Sequence, residues 1–451
     1  MKFLLGLLGL VGVVQSNYIP IEQQQGLLVE EPQGLLVEQD EIKLSFIDEI
    51  FGDLINNEQV LNHKMDSLSR GELRYDDDNG DGSLSIKSLK HSKLTLPNDN
   101  YIDDLFDRLL YAGIVTFAHL PTLNCFDYNS TDKIDIAILG APFDTGVSYS
   151  PGARFGPNGI RQGGRRLGGG LTSVRGFKNS LIRKIDPYKS GLNIVDCGDI
   201  PMLPFDNRVA LNQLYRGSRV IHNHDVLNST KYERPRIITL GGDHTITLMG
   251  LKSAFETFHD PNDKISVIHF DSHIDTWDPK VLGGGISNYA GLNHGTFLHY
   301  AAEAGYINKN SSLHVGIRAP YISDNDIDHD IECGFKMITA REIDDTEEEG
   351  GGIKGIVKRI KDIVGGTKVY ITVDIDVLDP STAPGTGTME VGGFTSRELI
   401  SILDGLEGID LIGADVVEVS PPFDTRAGIT TLVAAQVVDS FLGLMAVKEI
   451  Y

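Results

Sequence analysis

From about residue 100 onward the chain repeats one pattern: a short apolar, often β-branched run followed by a polar stretch or one with helical spacing. The runs fall at 134–139, 192–195, 236–240, 266–270, 313–316, 335–338, 369–373 and 412–419. Helix-like spacing occupies 208–226, 245–258, 297–304, 353–363, 396–405 and 431–446. Strands apolar on both faces, alternating with helices, predict a parallel sheet covered on both sides. The expected fold class is therefore α/β: a three-layer α/β/α domain over residues 99–451 with a mostly parallel, eight-stranded sheet.

The two ends of the chain differ in kind. Residues 1–16, MKFLLGLLGLVGVVQS, read as a signal peptide. Lys2 gives the positive start, the apolar run from Leu4 to Val14 is too short to span a bilayer, and Val14 and Ser16 suit a cleavage site. With that segment removed, no other long apolar run is expected and no membrane partner either. Secretion, or residence in the lumen of the secretory pathway, is the implied localisation. Sequons at Asn129, Asn228 and Asn310 are then glycosylation candidates. Residues 17–98 read as an acidic, partly disordered extension with one amphipathic helix near 46–61. The segment contains a tandem repeat, Gln25 to Glu30 and Gln33 to Glu38. Asp77, Asn79, Asp81 and Gly82 mimic the start of a calcium-binding loop, but the twelfth position is Ser88, so a solvated acidic turn is the better reading.

The net charge of −23 argues against nucleic acid and is compatible with a cationic small substrate. Three cysteines, Cys125, Cys197 and Cys333, allow at most one internal disulfide and no zinc ribbon. Cys197, at a strand end, reads as packed rather than reactive.

Three motifs follow directly on apolar runs: Gly241-Gly-Asp-His244, Asp271-Ser-His-Ile-Asp275 and Asp374-Ile-Asp376. The carboxyl ends of parallel strands are where such sheets place a ligand crevice. Donors at i, i+2 and i+4 of extended backbone point to one side, so Asp271, His273 and Asp275 can converge, as can Asp374 and Asp376. Alone, a Gly-Gly-Asp-His is a turn and an Asp-x-Asp is a cap. Together they offer four carboxylates and two imidazoles. Crowded into one crevice, these would repel unless divalent cations neutralised them. The thiolate-free, carboxylate-rich set favours manganese over zinc. A pair of such ions lowers the pKa of a shared water toward neutrality.

These residues carry a family resemblance. The chain resembles the ureohydrolases, the arginase and agmatinase family of binuclear manganese enzymes, over roughly residues 113 to 445. Besides the three motifs, Gly140-Ala-Pro-Phe-Asp-Thr-Gly146 and Ser150-Pro-Gly-Ala-Arg-Phe-Gly-Pro157 resemble the opening segment in its agmatinase form. Asn293-His-Gly-Thr296 resembles the agmatinase-type histidine loop. Asp374 to Pro380 with Ala383 to Thr388 resembles the second signature, and Glu418-Val-Ser-Pro421 the segment with a substrate-facing glutamate. The agmatinase branch is favoured over the arginase branch, since arginases usually have alanine at the position of Gly385 and carry an amino-acid-recognition loop not seen here.

The resemblance implies that His244, Asp271, His273, Asp275, Asp374 and Asp376 hold two Mn2+ per subunit. It implies that Asp275 also takes a proton from the attacking water, that His294 shuttles protons to the departing amine, and that Glu418 pairs with the substrate guanidinium. The implied reaction is agmatine plus water to putrescine plus urea, in a trimer or hexamer. Ser272 and Met389 depart from the common family residues, alanine and proline, without removing a donor. Trp277 suits either a channel wall or the core. The rival substrates are 4-guanidinobutanoate or another guanidino acid. Rivals of other classes are a non-catalytic secreted binding protein, opposed by the complete donor set, and a single-zinc deacetylase, opposed by the second ion's ligands.

Overall fold

The computed structural model describes residues 110–447 except 112, 169–173, 179, 259–263 and 285–289. The signal peptide, the acidic extension with its repeat and helix, and the loop at Asp77 to Ser85 lie outside these residues.

Eight strands form one sheet: β1 (Ile136–Gly140), β2 (Ile194–Asp199), β3 (Arg236–Leu240), β4 (Ser266–Phe270), β5 (Ser312–Ile317), β6 (Phe335–Thr339), β7 (Lys368–Asp374) and β8 (Asp410–Val417). Their order is β2-β1-β3-β8-β7-β4-β5-β6, and every pairing is parallel. β3 and β4 begin and end where the apolar runs do. The α-helices are α1 (Gly156–Gly163), α2 (Asn207–His222), α3 (Thr247–Phe258), α4 (Phe297–Glu303), α5 (Asp326–Cys333), α6 (Gly352–Val364), α7 (Ser396–Gly405) and α8 (Ile429–Val447).

Alternate strand residues feed two separate cores, which is why the runs look apolar throughout. Ile136 and Ile138 of β1 face one core with Ile160 of α1, Ile356 of α6, Ile402 of α7 and Val437 of α8. Ala137 and Leu139 face the other with Leu211 of α2, Leu248 of α3 and Phe297 of α4. The three layers follow.

Two features go beyond the sequence reading. α8 is a 19-residue apolar helix, long enough to cross a membrane by length and composition, so the expectation of no further long apolar run is corrected. It is mostly buried, packs on β8 and α1, and its Asp439 is bound by Arg175 at 2.6 Å. A buried carboxylate with a partner belongs in a protein core. Also, Cys125 and Cys197 form a disulfide, so Cys197 is bonded and not merely packed. The bridge ties the segment before β1 to β2 across 72 residues of sequence. Arg161 of α1 reinforces this edge, with Nε and Nη2 each 2.9 Å from the two oxygens of Asp196.

Closing a loop of that length restricts the unfolded chain strongly. Paired Cys125→Ser and Cys197→Ser substitutions should lower unfolding free energy by about 2–4 kcal/mol, read from the urea midpoint. Equal midpoints in variant and parent would show the bridge to be stabilising nothing.

Candidate metal centre

The four central strands, β3, β8, β7 and β4, lie side by side, and each ends in a site residue. β3 leads to His244, β4 to Asp271, β7 to Asp374 and β8 to Glu418. The crevice lies across their carboxyl ends, beside the point where the strand order doubles back.

The loop after β3 needs its glycines. A Cβ on Gly242 would meet Phe143 O at 1.9 Å, so only glycine lets the loop lie against that backbone. Asp243 then fixes the turn: its carboxylate accepts Thr245 N at 2.9 Å and Gly146 N at 2.7 Å. His244 follows, fully buried, with Nδ1 3.1 Å from Asp271 Oδ2, 3.0 Å from Asp275 Oδ2 and 3.4 Å from Asp374 Oδ2. On its other side Nε2 lies 2.8 Å from Thr372 Oγ1, which donates to Asp415 Oδ1 at 2.5 Å. Asp415 Oδ2 accepts Tyr370 and Thr247 hydroxyls, both at 2.9 Å.

Asp271 divides its two oxygens between two clusters. Oδ2 faces His244, while Oδ1 lies 3.3 Å from His273 Nδ1. His273 Nδ1 is also 3.1 Å from Asp376 Oδ2. The donor groups are thus His244, His269, Asp271 and Asp275 on one side, and Asp271, His273 and Asp376 on the other. Five of the six predicted donors fall in these groups, and the sixth, Asp374, has its Oδ2 3.4 Å from His244 Nδ1.

His269 is a seventh donor that the sequence reading passed over. Its Nε2 is 2.9 Å from Asp271 Oδ2. Its Nδ1 is 2.7 Å from His314 Nδ1, and His314 Nε2 is 2.8 Å from Asp330 Oδ1. The network assigns the protons. Asp330, held below its usual pKa chiefly by His314 against the opposing effect of burial, accepts from His314 Nε2. His314 Nδ1 is then the acceptor and His269 Nδ1 the donor. That leaves a lone pair on His269 Nε2 facing a carboxylate oxygen. Burial pushes the His269 pKa down to about 3, so a proton does not relieve the contact. The signal was present in the sequence: His269 is the one strongly polar residue in its strand, two positions before Asp271 and so on the same face.

A cation would relieve it. His244 Nδ1, His269 Nε2 and Asp271 Oδ2 are buried with no hydrogen-bond partner, a costly arrangement unless an ion takes their lone pairs. The carboxylates are under the same pressure. Burial and the charge of Asp271 push Asp275 up to about 6, and burial with Asp376 and Asp271 raises Asp374 well above the carboxylate range. The residues therefore fit a pair of divalent ions sharing Asp271.

Ser272 holds Asp376: its hydroxyl donates to Oδ1 at 2.7 Å and its N–H at 3.1 Å. Asp374 caps the turn after β7 through Asp376 N at 2.8 Å, so the cap reading and the donor reading both describe it.

His294 and Glu418 meet at the rim of the cluster. His294 Nδ1 is 3.0 Å from Glu418 Oε1, the same oxygen that accepts His244 N at 3.0 Å. His294 Nε2 lies 2.8 Å from Ser148 Oγ and accepts the Ser148 N–H at 3.0 Å. Burial lowers the His294 pKa, but Glu418 outweighs it and pushes the ring up to about 9. The Ser148 N–H opposes this by favouring a lone pair on Nε2. Asn293 builds the loop, donating to Leu282 O and Ala290 O at 3.2 Å and accepting Gly295 N at 3.0 Å. Asp275 and Glu418 both have left-handed backbone, at φ 51 and 60°. Non-glycine residues in that region cost about 1–3 kcal/mol each and cluster at functional sites.

A cleft of about 190 Å³ opens onto these groups, lined among others by Ser148, His273, Asp275, Trp277, His294 and Glu390. Trp277 is both wall and core: it is 6% exposed and donates Nε1–H to Asp326 Oδ2 at 2.8 Å.

Crevice, donor set and cleft together form a candidate divalent-metal site at the carboxyl edge of a parallel α/β sheet. Residues 134–443 match the arginase family model. The chain is 44% identical over 350 residues to "Putative agmatinase 1" of Schizosaccharomyces pombe, covering 76% of this chain and 84% of that one. It is 35% identical to the agmatinase of Neisseria meningitidis serogroup C, covering 76% and 96%. Among solved structures it is similar to the proclavaminate amidino hydrolase of Streptomyces clavuligerus, with TM-score 0.61, 30% identity, and 76% of this chain and all of that one covered. The chain belongs to the arginase family of hydrolases.

Thr372→Val keeps the volume but removes the bond that orients His244. Such supporting contacts are worth about 10–100-fold in metal affinity. Competition with a chelator should show a loss in that range with the circular dichroism unchanged, and wild-type affinity would remove Thr372 from the account of the site.

Proposed function

We propose that the protein hydrolyses agmatine to urea and putrescine, using two Mn2+ held by His244, Asp271, His273, Asp275, Asp374 and Asp376, with His269 as a seventh donor beside them. The observation that carries the binuclear reading is the division of Asp271 between two donor groups. When bound, the ions supply the charge that lowers the pKa of the attacking water and offsets the buried carboxylates.

The chain's own residues do the rest. Glu418 accepts the guanidinium N–H groups and fixes its plane, a pairing that suits a carboxylate. Asp275 takes the proton released by the water as the C–O bond forms. His294, bonded to Glu418, gives a proton to the departing nitrogen as the C–N bond breaks and takes the remaining hydroxyl proton as the urea C=O forms. Urea thus leaves with a neutral amine, and Asp275 passes its proton to solvent. Trp277 and Leu282 line the cleft and keep it narrow.

The cleft supports a cationic tail. Its described lining holds no lysine or arginine, the groups a carboxylate tail would need, and Glu390 adds a further negative charge 3.8 Å from His273. Similarity to proteins named agmatinase points the same way. A guanidino acid such as 4-guanidinobutanoate is the second reading, favoured by the likeness to an amidino hydrolase named for another substrate.

The same proposal includes a signal peptide at 1–16, an acidic extension at 17–98, a catalytic domain at 99–451, and secretion. The Cys125–Cys197 disulfide supports an oxidising compartment, and Asn129 and Asn310 are exposed sequon residues. A trimer or hexamer, as the family resemblance implies, completes it.

Urea release from manganese-loaded protein, with agmatine, 4-guanidinobutanoate and arginine compared, tests the substrate. Agmatine should lead; a larger kcat/KM for either acid would overturn the assignment. His294→Ala should slow agmatine turnover about 10²–10⁴-fold with both ions retained, and unchanged turnover in the folded variant would discard the proton-donor role. Glu390→Gln should raise the agmatine KM about two- to fivefold with kcat little altered, the size of one partly exposed ionic contact. An unmoved KM would take Glu390 out of substrate recognition.

A further inference from the structure

Behind the cleft, α4 and α5 bring together a second group of donors that shares no residue with the crevice: His299, His329 and Cys333. His329 and Cys333 stand four apart on α5, hence on one face of the helix, and His299 projects from α4, which packs against it. His299 Nδ1 is 3.0 Å from His329 Nε2, and Cys333 Sγ is 3.8 Å from the same nitrogen. All three donor atoms lie within 4.8 Å of one another. A tetrahedral zinc site sets N–N at about 3.3 Å and N–S at about 3.5 Å, so small side-chain rotations would bring the three to ligand spacing. The imidazoles are half-buried and Cys333 is 5% exposed, which leaves an open approach with the sulfur at its base.

We propose that His299, His329 and Cys333 form a separate binding site for one thiophilic divalent ion of the zinc class. Two imidazoles and a thiolate suit Zn2+ or Co2+ and suit manganese poorly, so the site and the crevice would select different ions. Asp278 acts electrostatically on both His299 and Cys333 and is the acidic candidate for the fourth position, the alternative being water. Burial, with His329 beside it, holds His299 neutral by pushing its pKa down to about 4, leaving a lone pair to offer. Cys333 is the one thiol outside the disulfide, and burial pushes it up to about 12, so it ionises only when an ion displaces its proton.

The site would act as a brace. α4 begins directly after the His294 loop, and α5 carries Asp326, which holds Trp277, and Asp330, which holds His314 and Thr276. An ion clipped across the two helices fixes both walls behind the cleft.

Sulfur makes the test specific. Full-length, manganese-loaded protein with one free thiol, counted after denaturation, is titrated with Co2+. The expected result is a near-ultraviolet thiolate-to-cobalt band that saturates at one equivalent. Cobalt entering the crevice gives no such band, because no crevice donor is a sulfur. Cys333→Ser should abolish the band, and His299→Ala should weaken cobalt binding at least tenfold, with manganese content and circular dichroism unchanged in both. Absence of the band from wild-type protein with its disulfide intact and one free thiol, or its survival in Cys333→Ser, overturns the proposal. Should Cys333→Ser fail to fold, His299→Ala decides alone, and unchanged cobalt affinity there overturns it.

Discussion

Mutual repulsion among buried acids is the constraint around which this molecule is built. Asp271, Asp275, Asp374 and Asp376 are all 5% exposed or less, at the ends of adjoining strands. Burial and neighbouring charge raise Asp275 and Asp374, and the facing nitrogens of His244 and His269 have no hydrogen-bond partner. The surrounding features serve to hold that crowd together. Gly242 admits the loop, Ser272 restrains Asp376, and the Thr372–Asp415 pair fixes the far side of His244. Two apolar cores, one on each face of the sheet, supply the stability that lets the central strands end so unfavourably.

Much of this was legible, and the gaps have physical reasons. β3 and β4 could be delimited to the residue because each is an apolar run closed by a glycine or a charge. β2 was read short because Asp196 lies inside it, and its partner, Arg161, comes from 35 residues away. β8 lies two residues earlier than the expected 412–419: the charged Asp410 pairs with Lys368 inside the sheet, and the left-handed turn at Glu418 ends the strand before Val419. α1 went unseen: Gly-Pro-Asn-Gly is poor helix sequence, yet it forms with proline in the first turn and Ile160 buried in the shared core with α8. α5 was missed for a related reason, since its buried face holds Asp326 and Asp330, polar residues whose partners are distant in sequence. The six donors were legible because their spacing is local. The position of His269, two residues before Asp271, was legible, but its lone pair on Nε2 follows only from His314 and Asp330, neighbours in space.

The link between Glu418 and the metal cluster is direct. A single carboxylate oxygen receives the backbone N–H of His244 and the ring of His294. The residue assigned to the guanidinium is therefore tied on one side to a metal donor and on the other to the assigned proton donor. Its backbone is pinned as well, since Glu418 N donates to Gly242 O at 2.8 Å. Displacing any one of the three moves the other two, so their effects on catalysis should not add.

Charge acts at two ranges. The whole chain carries −23, a field that draws small cations toward it and is screened within about 8 Å at physiological salt. Ions in the crevice would cancel much of the local excess, so the far field alone says little about what binds there. What remains at the mouth is Glu390, partly exposed and beyond the donor clusters. A substrate with one cationic end for Glu418 and another for Glu390 is attracted at both ranges. A guanidino acid meets only the first favourably, and its carboxylate finds no described basic side chain in the cleft lining. The preference for a dication thus rests on where the last uncompensated carboxylate stands, and not on the acidity of the protein as a whole.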